Sequence, residues 1–194
     1  MNDYIIVDDF FENPDEIREW ALNKFHFHLP QEHPEGVGQF PGIRTSYFHK
    51  LDFCKSMYDL MVKRVDEAIM KMQDLSNMED VYLKHTAQFS FSLTYKNSQT
   101  FLHKDDTTGS DIRYAGVIYL HPNPENDTGT LIYDRERNHF ETVSNKYNRF
   151  VLYNSQLPHQ PQGNFGNEDD KYSGRLVLTI FFDLYKRQET IDTN

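Results

Sequence analysis

The stretch FLHKDD, residues 101–106, places a histidine two positions before an aspartate. If the backbone is extended here, His103 and Asp105 point to the same side of it and can bind one metal ion together. The pair by itself carries little information, because a chain with nine histidines and 30 acidic residues forms such pairs by chance. The stretch is therefore either part of a metal site or ordinary polar surface, and a third ligand has to decide.

The third ligand should be a histidine on another strand, and the downstream histidines are His121, His139 and His159. We expect His121 and His139 to be exposed, because the first lies at a strand end and the second near a turn. His159 instead follows the apolar strand 150–153. Two histidines and one carboxylate leave three open positions on an octahedral ion, which suits non-haem Fe(II) that binds a co-substrate together with O₂. Zinc with three protein ligands is the alternative.

Arg175 lies at the start of the strand GRLVLTIFFD, residues 174–183, which is otherwise mostly apolar. A guanidinium in this position either points into solvent or meets an acidic partner inside the fold, because burying it without a partner is unfavourable. The sequence leaves both interpretations open.

Two further polar features lie in the N-terminal part of the chain. His33-Pro34-Glu35 has the same His-x-carboxylate form, but it belongs to a loop rich in Pro and Gly, where a ligand has no rigid support. We expect a surface loop here, with a lid over a site as the alternative. Arg44, in the turn FPGIRT, could face the mouth of a site and bind an acidic substrate, but we favour a surface role.

Polar and apolar residues alternate after residue 81, which is the pattern of half-buried strands. Eight short strands separated by turn residues favour an antiparallel sandwich or barrel. The predicted strands are 89–95, 100–105, 114–120, 129–133, 139–144, 149–153, 157–163 and 175–183.

The first 80 residues are predicted to be mostly helical. Asn13-Pro14 is a typical helix start, and this helix should extend to about Lys24 after a short strand at 4–7. A second helix is expected from about Asp52 to Gln73, where apolar residues recur every three or four positions. These residues are Met57, Leu60, Met61, Val65, Ala68, Ile69 and Met72.

The order His103-x-Asp105, His159, Arg175 resembles that of the Fe(II)/2-oxoglutarate-dependent dioxygenases, specifically their prolyl-hydroxylase-like branch. The resemblance covers residues 87–183. It implies an α+β chain, mainly β with flanking helices, whose core is a double-stranded β-helix of about eight strands, also called a jelly roll or cupin-like fold. We expect one domain over residues 1–194, with 1–80 as a mostly helical support and 87–183 as the core.

The resemblance also implies roles for individual residues. His103, Asp105 and His159 would hold Fe(II), and Arg175 would pair with the distal carboxylate of 2-oxoglutarate. Tyr119 and Thr179 correspond to further residues that bind this co-substrate, and O₂ would complete the reaction. Tyr95 matches a co-substrate-binding aromatic residue more loosely, and a core position is its alternative.

The implied activity is hydroxylation of a C–H bond in a protein residue, prolyl or similar, or in a small molecule, with succinate and CO₂ as co-products. The loop between His159 and Arg175 is longer than the short turn common in prolyl hydroxylases, so we expect a different rim around the site. A non-catalytic jelly-roll module and a cupin-like metalloenzyme that does not use 2-oxoglutarate remain the rival functions.

Composition excludes several other classes of protein. A net charge of −10 without a run of basic residues argues against nucleic acid or an anionic membrane as a partner. The single cysteine rules out an internal disulfide and a cysteine zinc cluster. Together with the absence of a recognisable secretory or membrane-spanning segment, it leads us to expect a cytoplasmic protein.

Overall fold

The computed structural model describes residues 4–36, 38–73, 82–105, 112–136 and 138–186, which contain two α-helices and ten strands. The helices are Pro14–Lys24 (α1) and Lys55–Gln73 (α2). The strands are Tyr4–Val7 (β1), Phe27–His28 (β2), Ile43–Thr45 (β3), Tyr82–Thr94 (β4), Ile112–Tyr119 (β5), Gly129–Tyr133 (β6), Phe140–Ser144 (β7), Phe150–Asn154 (β8), His159–Gln162 (β9) and Arg175–Lys186 (β10).

The strands form two antiparallel sheets that lie face to face. The large sheet has seven strands in the order β1-β8-β5-β10-β4-β3-β2, and the small sheet has three in the order β7-β6-β9. Neighbours in the large sheet are often distant in sequence, as β10 pairs with both β4 and β5. This is the mainly β, jelly-roll architecture that the sequence predicts.

The large sheet has one apolar face and one mixed face, because side chains alternate along each strand. Phe89, Phe91 and Leu93 of β4 join Leu178 and Ile180 of β10 in the main hydrophobic core. The residues between them point to the small sheet. The predicted alternation in β4 is therefore correct, and its polar face borders the space between the two sheets.

Both α-helices pack on the apolar face of the large sheet. Ala21 and Leu22 of α1 and Met61, Val65 and Ile69 of α2 are buried in the same core as the β4 phenylalanines. This confirms the prediction of helices that flank a mainly β structure. Leu60 departs from the expected stripe and is 46% exposed, because it lies beside the buried face of the helix.

A smaller apolar cluster closes the space between the two sheets. Ala115, Val151 and Val177 of the large sheet pack with Ile132 and Val143 of the small sheet. The cluster fills only part of this space, and the remainder is a cavity of about 720 Å³.

Two details of the predicted secondary structure are wrong. Residues 100–105 form no strand, and only His103 makes an isolated antiparallel bridge, to His159. The predicted strand at 4–7 is present as β1, but the N-terminal support also contributes β2 and β3 to the large sheet. Strands of two or three residues are too short to show a period in the sequence, and they form because an existing sheet edge offers partners.

No helix in the described ranges is long and apolar enough to cross a membrane.

Phe91 is expected to be among the most important residues for stability, because it is fully buried and contacts the rings of Trp20, Phe25 and Phe48. Phe91→Ala should lower the free energy of unfolding by about 3 to 5 kcal/mol, since it leaves a cavity beside these three rings. Phe140→Ala is the matched control, because Phe140 is 57% exposed, and should change it by less than about 0.5 kcal/mol. Denaturant unfolding of both variants measures the difference. Equal effects would contradict this view of the core.

Candidate active site

His103, Asp105 and His159 converge at one end of the cavity between the sheets. One ligand atom from each residue lies within 4.8 Å of the other two. His159 Nε2 is 3.2 Å from Asp105 Oδ2, and His103 Nε2 is 3.7 Å from Asp105 Oδ1. His139, one of the alternative third ligands, is exposed, and His121 packs against Phe165. Within the described ranges this is the single group of metal-binding side chains with such geometry.

Backbone hydrogen bonds position these ligands although residues 100–105 form no strand. His103 and His159 exchange two backbone hydrogen bonds of 3.0 and 2.8 Å, and the Asp105 amide donates to the Ser155 carbonyl at 3.1 Å. His159 is also paired with Ile132 of β6. Leu102 and Lys104 are exposed while their neighbours turn inward, so the extended backbone places His103 and Asp105 on one face as predicted.

The orientation of both imidazoles leaves one nitrogen free for a metal. Nδ1 of His103 donates to the Phe101 carbonyl at 3.0 Å, and Nδ1 of His159 donates to the Leu157 carbonyl at 2.9 Å. In the neutral ring this places the lone pair on Nε2, which is the atom that faces Asp105. Three electron-pair donors so close together repel one another unless a cation binds between them. The residues therefore fit a divalent metal.

Burial and neighbouring charges determine the protonation of these groups. Burial, followed by the charge of His159, lowers the pKa of His103. Burial by itself raises the pKa of Asp105, but its interactions with the two neighbouring histidines and with Arg113 outweigh burial, so the net pKa is lowered. A neutral imidazole and an ionised carboxylate are the forms that bind a metal.

Arg175 lines the same cavity and is 3% exposed. One guanidinium nitrogen donates to the Gly129 carbonyl at 3.1 Å, and the guanidinium lies 5.4 Å from the centre of the Tyr119 ring. Burial lowers the pKa of Arg175, opposed by the nearby Tyr119 hydroxyl. No acidic side chain of the described residues forms an ion pair with it, and its Nε has no hydrogen-bond partner. The first interpretation from sequence, a solvent-facing arginine, is therefore wrong.

A buried guanidinium without a carboxylate fits a site for an anionic group. Such a charge is unfavourable in a protein interior unless a counter-ion accompanies it, and planar bidentate pairing with a carboxylate is what arginine does best. Gly129, whose carbonyl holds Arg175, lies so close to β7 that a Cβ there would be 2.1 Å from the Val143 carbonyl oxygen. The small residue thus lets β6 approach and support the arginine.

Of the other residues expected to bind the co-substrate, Thr179 lines the cavity, whereas Tyr119 and Tyr95 do not. Thr179 lines the cavity two steps along β10 from Val177, and its hydroxyl is 2.9 Å from Ser92 Oγ. Tyr119 lies behind the cavity wall, with its hydroxyl 2.7 Å from Thr130 Oγ1, and Thr130 itself lines the cavity. Tyr95 is buried in the main core and is not among the lining residues, which is the alternative that the sequence left open.

The N-terminal loop contributes a wall of the cavity, which the sequence analysis assigned to the surface. His33 is 5% exposed, donates through Nε2 to the Thr45 carbonyl at 3.0 Å, and lies 2.9 Å from Glu35 through Nδ1. Glu35 and Phe40 line the cavity. Arg44 also lines it, so the surface role favoured for this residue is wrong. Long-range packing on β3 and β4 draws the loop inward, and local composition carries no sign of that.

Sequence reasoning missed Arg113 and Tyr153, which both line the cavity. Arg113 forms an ion pair with Asp183 at 2.8 Å, and the Tyr153 ring lies 4.6 Å from that of His159. Alternation could have found Arg113, because it shares a strand face with Tyr119, six positions later in β5. The same rule places Tyr153 on the inner face of β8.

Comparison with known proteins supports this description. The model of a family of unknown function, DUF6445, matches residues 2–146, three quarters of the chain. The chain belongs to this family. The matched region includes His103 and Asp105 and ends before His159 and Arg175. No functionally curated protein matches the sequence.

The fold is similar to those of several solved structures, among them prolyl hydroxylases and a protein of the 2OG-Fe(II) oxygenase family. An oxidoreductase of the 2OG-Fe(II) oxygenase family from Burkholderia pseudomallei has a TM-score of 0.69 at 11% identity, over 93% of this chain and 84% of its own. A Trichoplax adhaerens prolyl hydroxylase, solved with a hypoxia-inducible-factor peptide, has a TM-score of 0.64 at 15% identity, over 95% and 84%. HygX from Streptomyces hygroscopicus, with nickel and 2-oxoglutarate bound, has 0.61 at 12% identity, over 93% and 82%. This confirms the prolyl-hydroxylase-like fold.

The cluster is expected to bind one divalent ion, for which Co(II) is a convenient visible probe. His159→Ala should weaken Co(II) binding by roughly 100-fold or more, because loss of even an outer-shell partner weakens metal sites by about 10- to 100-fold. His139→Ala is the matched control, since this histidine is exposed and outside the cavity. Titration followed by absorbance measures both affinities. If His139→Ala weakens binding as much as His159→Ala does, the assigned ligand set is wrong.

Proposed function

We propose that this protein is an Fe(II)- and 2-oxoglutarate-dependent oxygenase that hydroxylates a C–H bond of a protein residue, prolyl or similar, or of a small molecule. The observation that carries the proposal is the presence, in one cavity, of a His-Asp-His cluster and a buried arginine that forms no ion pair with the described residues. When bound, Fe(II) and 2-oxoglutarate supply the oxidation of a C–H bond by O₂, with succinate and CO₂ as co-products.

In this proposal His103, Asp105 and His159 hold the metal from one side. The backbone bridge between the two histidines keeps their Nε2 atoms oriented, so the ligands need little rearrangement when the ion binds. Asp105 contributes the negative charge that a divalent ion requires. With three ligands from the protein, a six-coordinate ion would keep positions for the co-substrate and O₂.

Arg175 would bind the distal carboxylate of 2-oxoglutarate through charge-assisted hydrogen bonds. The Gly129 carbonyl and the Tyr119 ring hold its guanidinium in place, and Thr179 presents a hydroxyl on the same strand face. Val177 lies between Arg175 and Thr179 and, like Phe181, gives the cavity an apolar wall that limits the entry of water. The protein thus provides orientation and a dry site, and no acid–base pair is required.

The two rival functions account for fewer features. A non-catalytic jelly-roll module does not need three metal-binding side chains with their Nδ1 atoms locked onto backbone carbonyls. A cupin-like metalloenzyme that does not use 2-oxoglutarate accounts for the metal cluster, but it leaves the buried charge of Arg175 without a counter-ion. Among the proteins of this fold, a peptide accompanies the Trichoplax enzyme and hygromycin B accompanies HygX, so the fold leaves the substrate class open.

The proposal is tested by adding Fe(II) and 2-oxoglutarate without oxygen, which should produce the visible charge-transfer band of the metal–co-substrate chelate. Arg175→Met should weaken 2-oxoglutarate binding by about 30-fold or more, since a bidentate carboxylate pair contributes roughly 2 kcal/mol or more. Asp105→Ala should abolish the band, because it removes a metal ligand.

Arg135→Met serves as the control for Arg175→Met, because Arg135 is exposed and outside the cavity. It should leave the band unchanged. In air, the unmutated protein should also release succinate slowly without a primary substrate. The absence of both the band and succinate release, at saturating metal and co-substrate, would favour the non-catalytic module.

A further inference from the structure

The cavity is positively charged although the protein is acidic. The chain has 20 basic and 30 acidic residues, yet among the residues that the structure describes five basic side chains and two acidic ones line the cavity. The basic ones are Arg44, Lys50, Lys104, Arg113 and Arg175, and the acidic ones are Glu35 and Asp105. Fe(II) and the 2-oxoglutarate dianion have equal and opposite charges, so an excess of positive charge remains after both bind. A cavity of this kind attracts anions.

Most of these charges have a partner within the protein or within the proposed reaction. Arg113 of β5 forms an ion pair of 2.8 Å with Asp183, which lies opposite it on β10. Arg175 is assigned to the co-substrate. Glu35 is next to His33 at 2.9 Å. Lys50 and Lys104 are exposed at the rim, where water solvates them. Arg44 is the remaining basic group of the inner wall.

Arg44 is held rigidly in the cavity without an acidic partner among the described residues. Its Nε donates to Ser92 Oγ at 3.0 Å, and its guanidinium lies over the Phe40 ring at 4.5 Å. Burial lowers the pKa of Arg44, opposed by its neighbours Tyr47 and Asp105. Stacking on Phe40, the hydrogen bond from Nε and a side-chain hydrogen bond with Tyr47 orient the guanidinium. A guanidinium has five N–H donors, so donors remain for a carboxylate.

The backbone of β3 keeps Arg44 at this place. Gly42 has φ +67°, and a Cβ there would lie 2.2 Å from the Leu93 carbonyl oxygen. Only glycine allows β3 to begin so close to β4, and the resulting register places Arg44 opposite Ser92. Arg44 lines the same cavity as the proposed metal ligands His103 and Asp105.

We propose that Arg44 binds a carboxylate of the primary substrate, and that the substrate is a small molecule with a free carboxylate. This inference rests on the proposed function. A cavity of about 720 Å³ is within the size range of small-molecule sites. Arg44 on β3 then binds the carboxylate of the substrate, and Arg175 on β10 binds the distal carboxylate of 2-oxoglutarate.

The test uses the protein with Fe(II) and 2-oxoglutarate, first without oxygen. N-acetyl-L-amino acids, their primary amides, and a blocked tripeptide with a central glutamate are added as probes. Binding is followed by the change in the chelate band, and coupling by succinate release after air is admitted. Free acids should perturb the band and accelerate succinate release, because they are small molecules with a free carboxylate. The amides should do neither because they lack the carboxylate, and the tripeptide should do neither because it is a peptide.

Arg44→Met should keep the chelate band and its affinity for 2-oxoglutarate within about twofold, but should bind the acids at least about tenfold more weakly. Arg44→Lys, which retains the charge and is the more conservative change, should be intermediate. It also keeps the test decisive if Arg44→Met fails to fold. Arg135→Met should behave as the unmutated protein.

Three results would overturn the inference while leaving the proposed function intact. In the first, acids and amides change the chelate band and succinate release equally. In the second, no acid changes either of them. In the third, the tripeptide changes them as strongly as the acids do. A loss of 2-oxoglutarate affinity in Arg44→Met equal to that in Arg175→Met would also overturn it, by assigning Arg44 to the co-substrate. Failure of the proposed function is distinguishable from all of these, because the unmutated protein would then form no chelate band.

Discussion

The pair of backbone hydrogen bonds between His103 and His159 is the constraint on which the site depends. It joins a segment that belongs to no strand to the edge of the small sheet, and it places two imidazoles and the Asp105 carboxylate around one point. Because each imidazole also donates its Nδ1 proton to a nearby carbonyl, rotation of the rings is restricted. The ligand geometry is therefore largely preorganised by the backbone, not by contacts among the ligands themselves.

The large sheet separates the main hydrophobic core, on its outer face, from the cavity that contains the candidate site, on its inner face. Its outer face carries the phenylalanines and leucines that pack under both helices, and its inner face carries Arg175, Thr179 and Ser92. Alternation along β4 and β10 produces both faces from the same strands. The polar residues of the inner face can therefore be unfavourable for stability, because the apolar outer face supplies the burial that the fold requires.

Buried positive charge is the second consequence of this architecture. Two arginines, Arg44 and Arg175, lie in the cavity wall and form no ion pair with the described residues, in a chain whose net charge is −10. Each is supported by a carbonyl or a hydroxyl and by an aromatic ring. Neutral partners orient a guanidinium without neutralising it, so the charge stays available to an anion that enters from solvent.

The sequence by itself determined the local and periodic features of this protein. Alternation and turn residues predicted β4 to β10, with one strand too many at 100–105, and a common side for His103 and Asp105. The resemblance carried by the order of His103, Asp105, His159 and Arg175 predicted the fold that the comparisons support. Sequence could not place Tyr95 in the core, Arg44 and Glu35 in the cavity, or Leu60 in solvent. Those positions follow from pairing and packing between residues far apart in the chain. Only the tertiary structure decided them, because local propensity and period carry no information about which distant strand or helix will cover a given side chain.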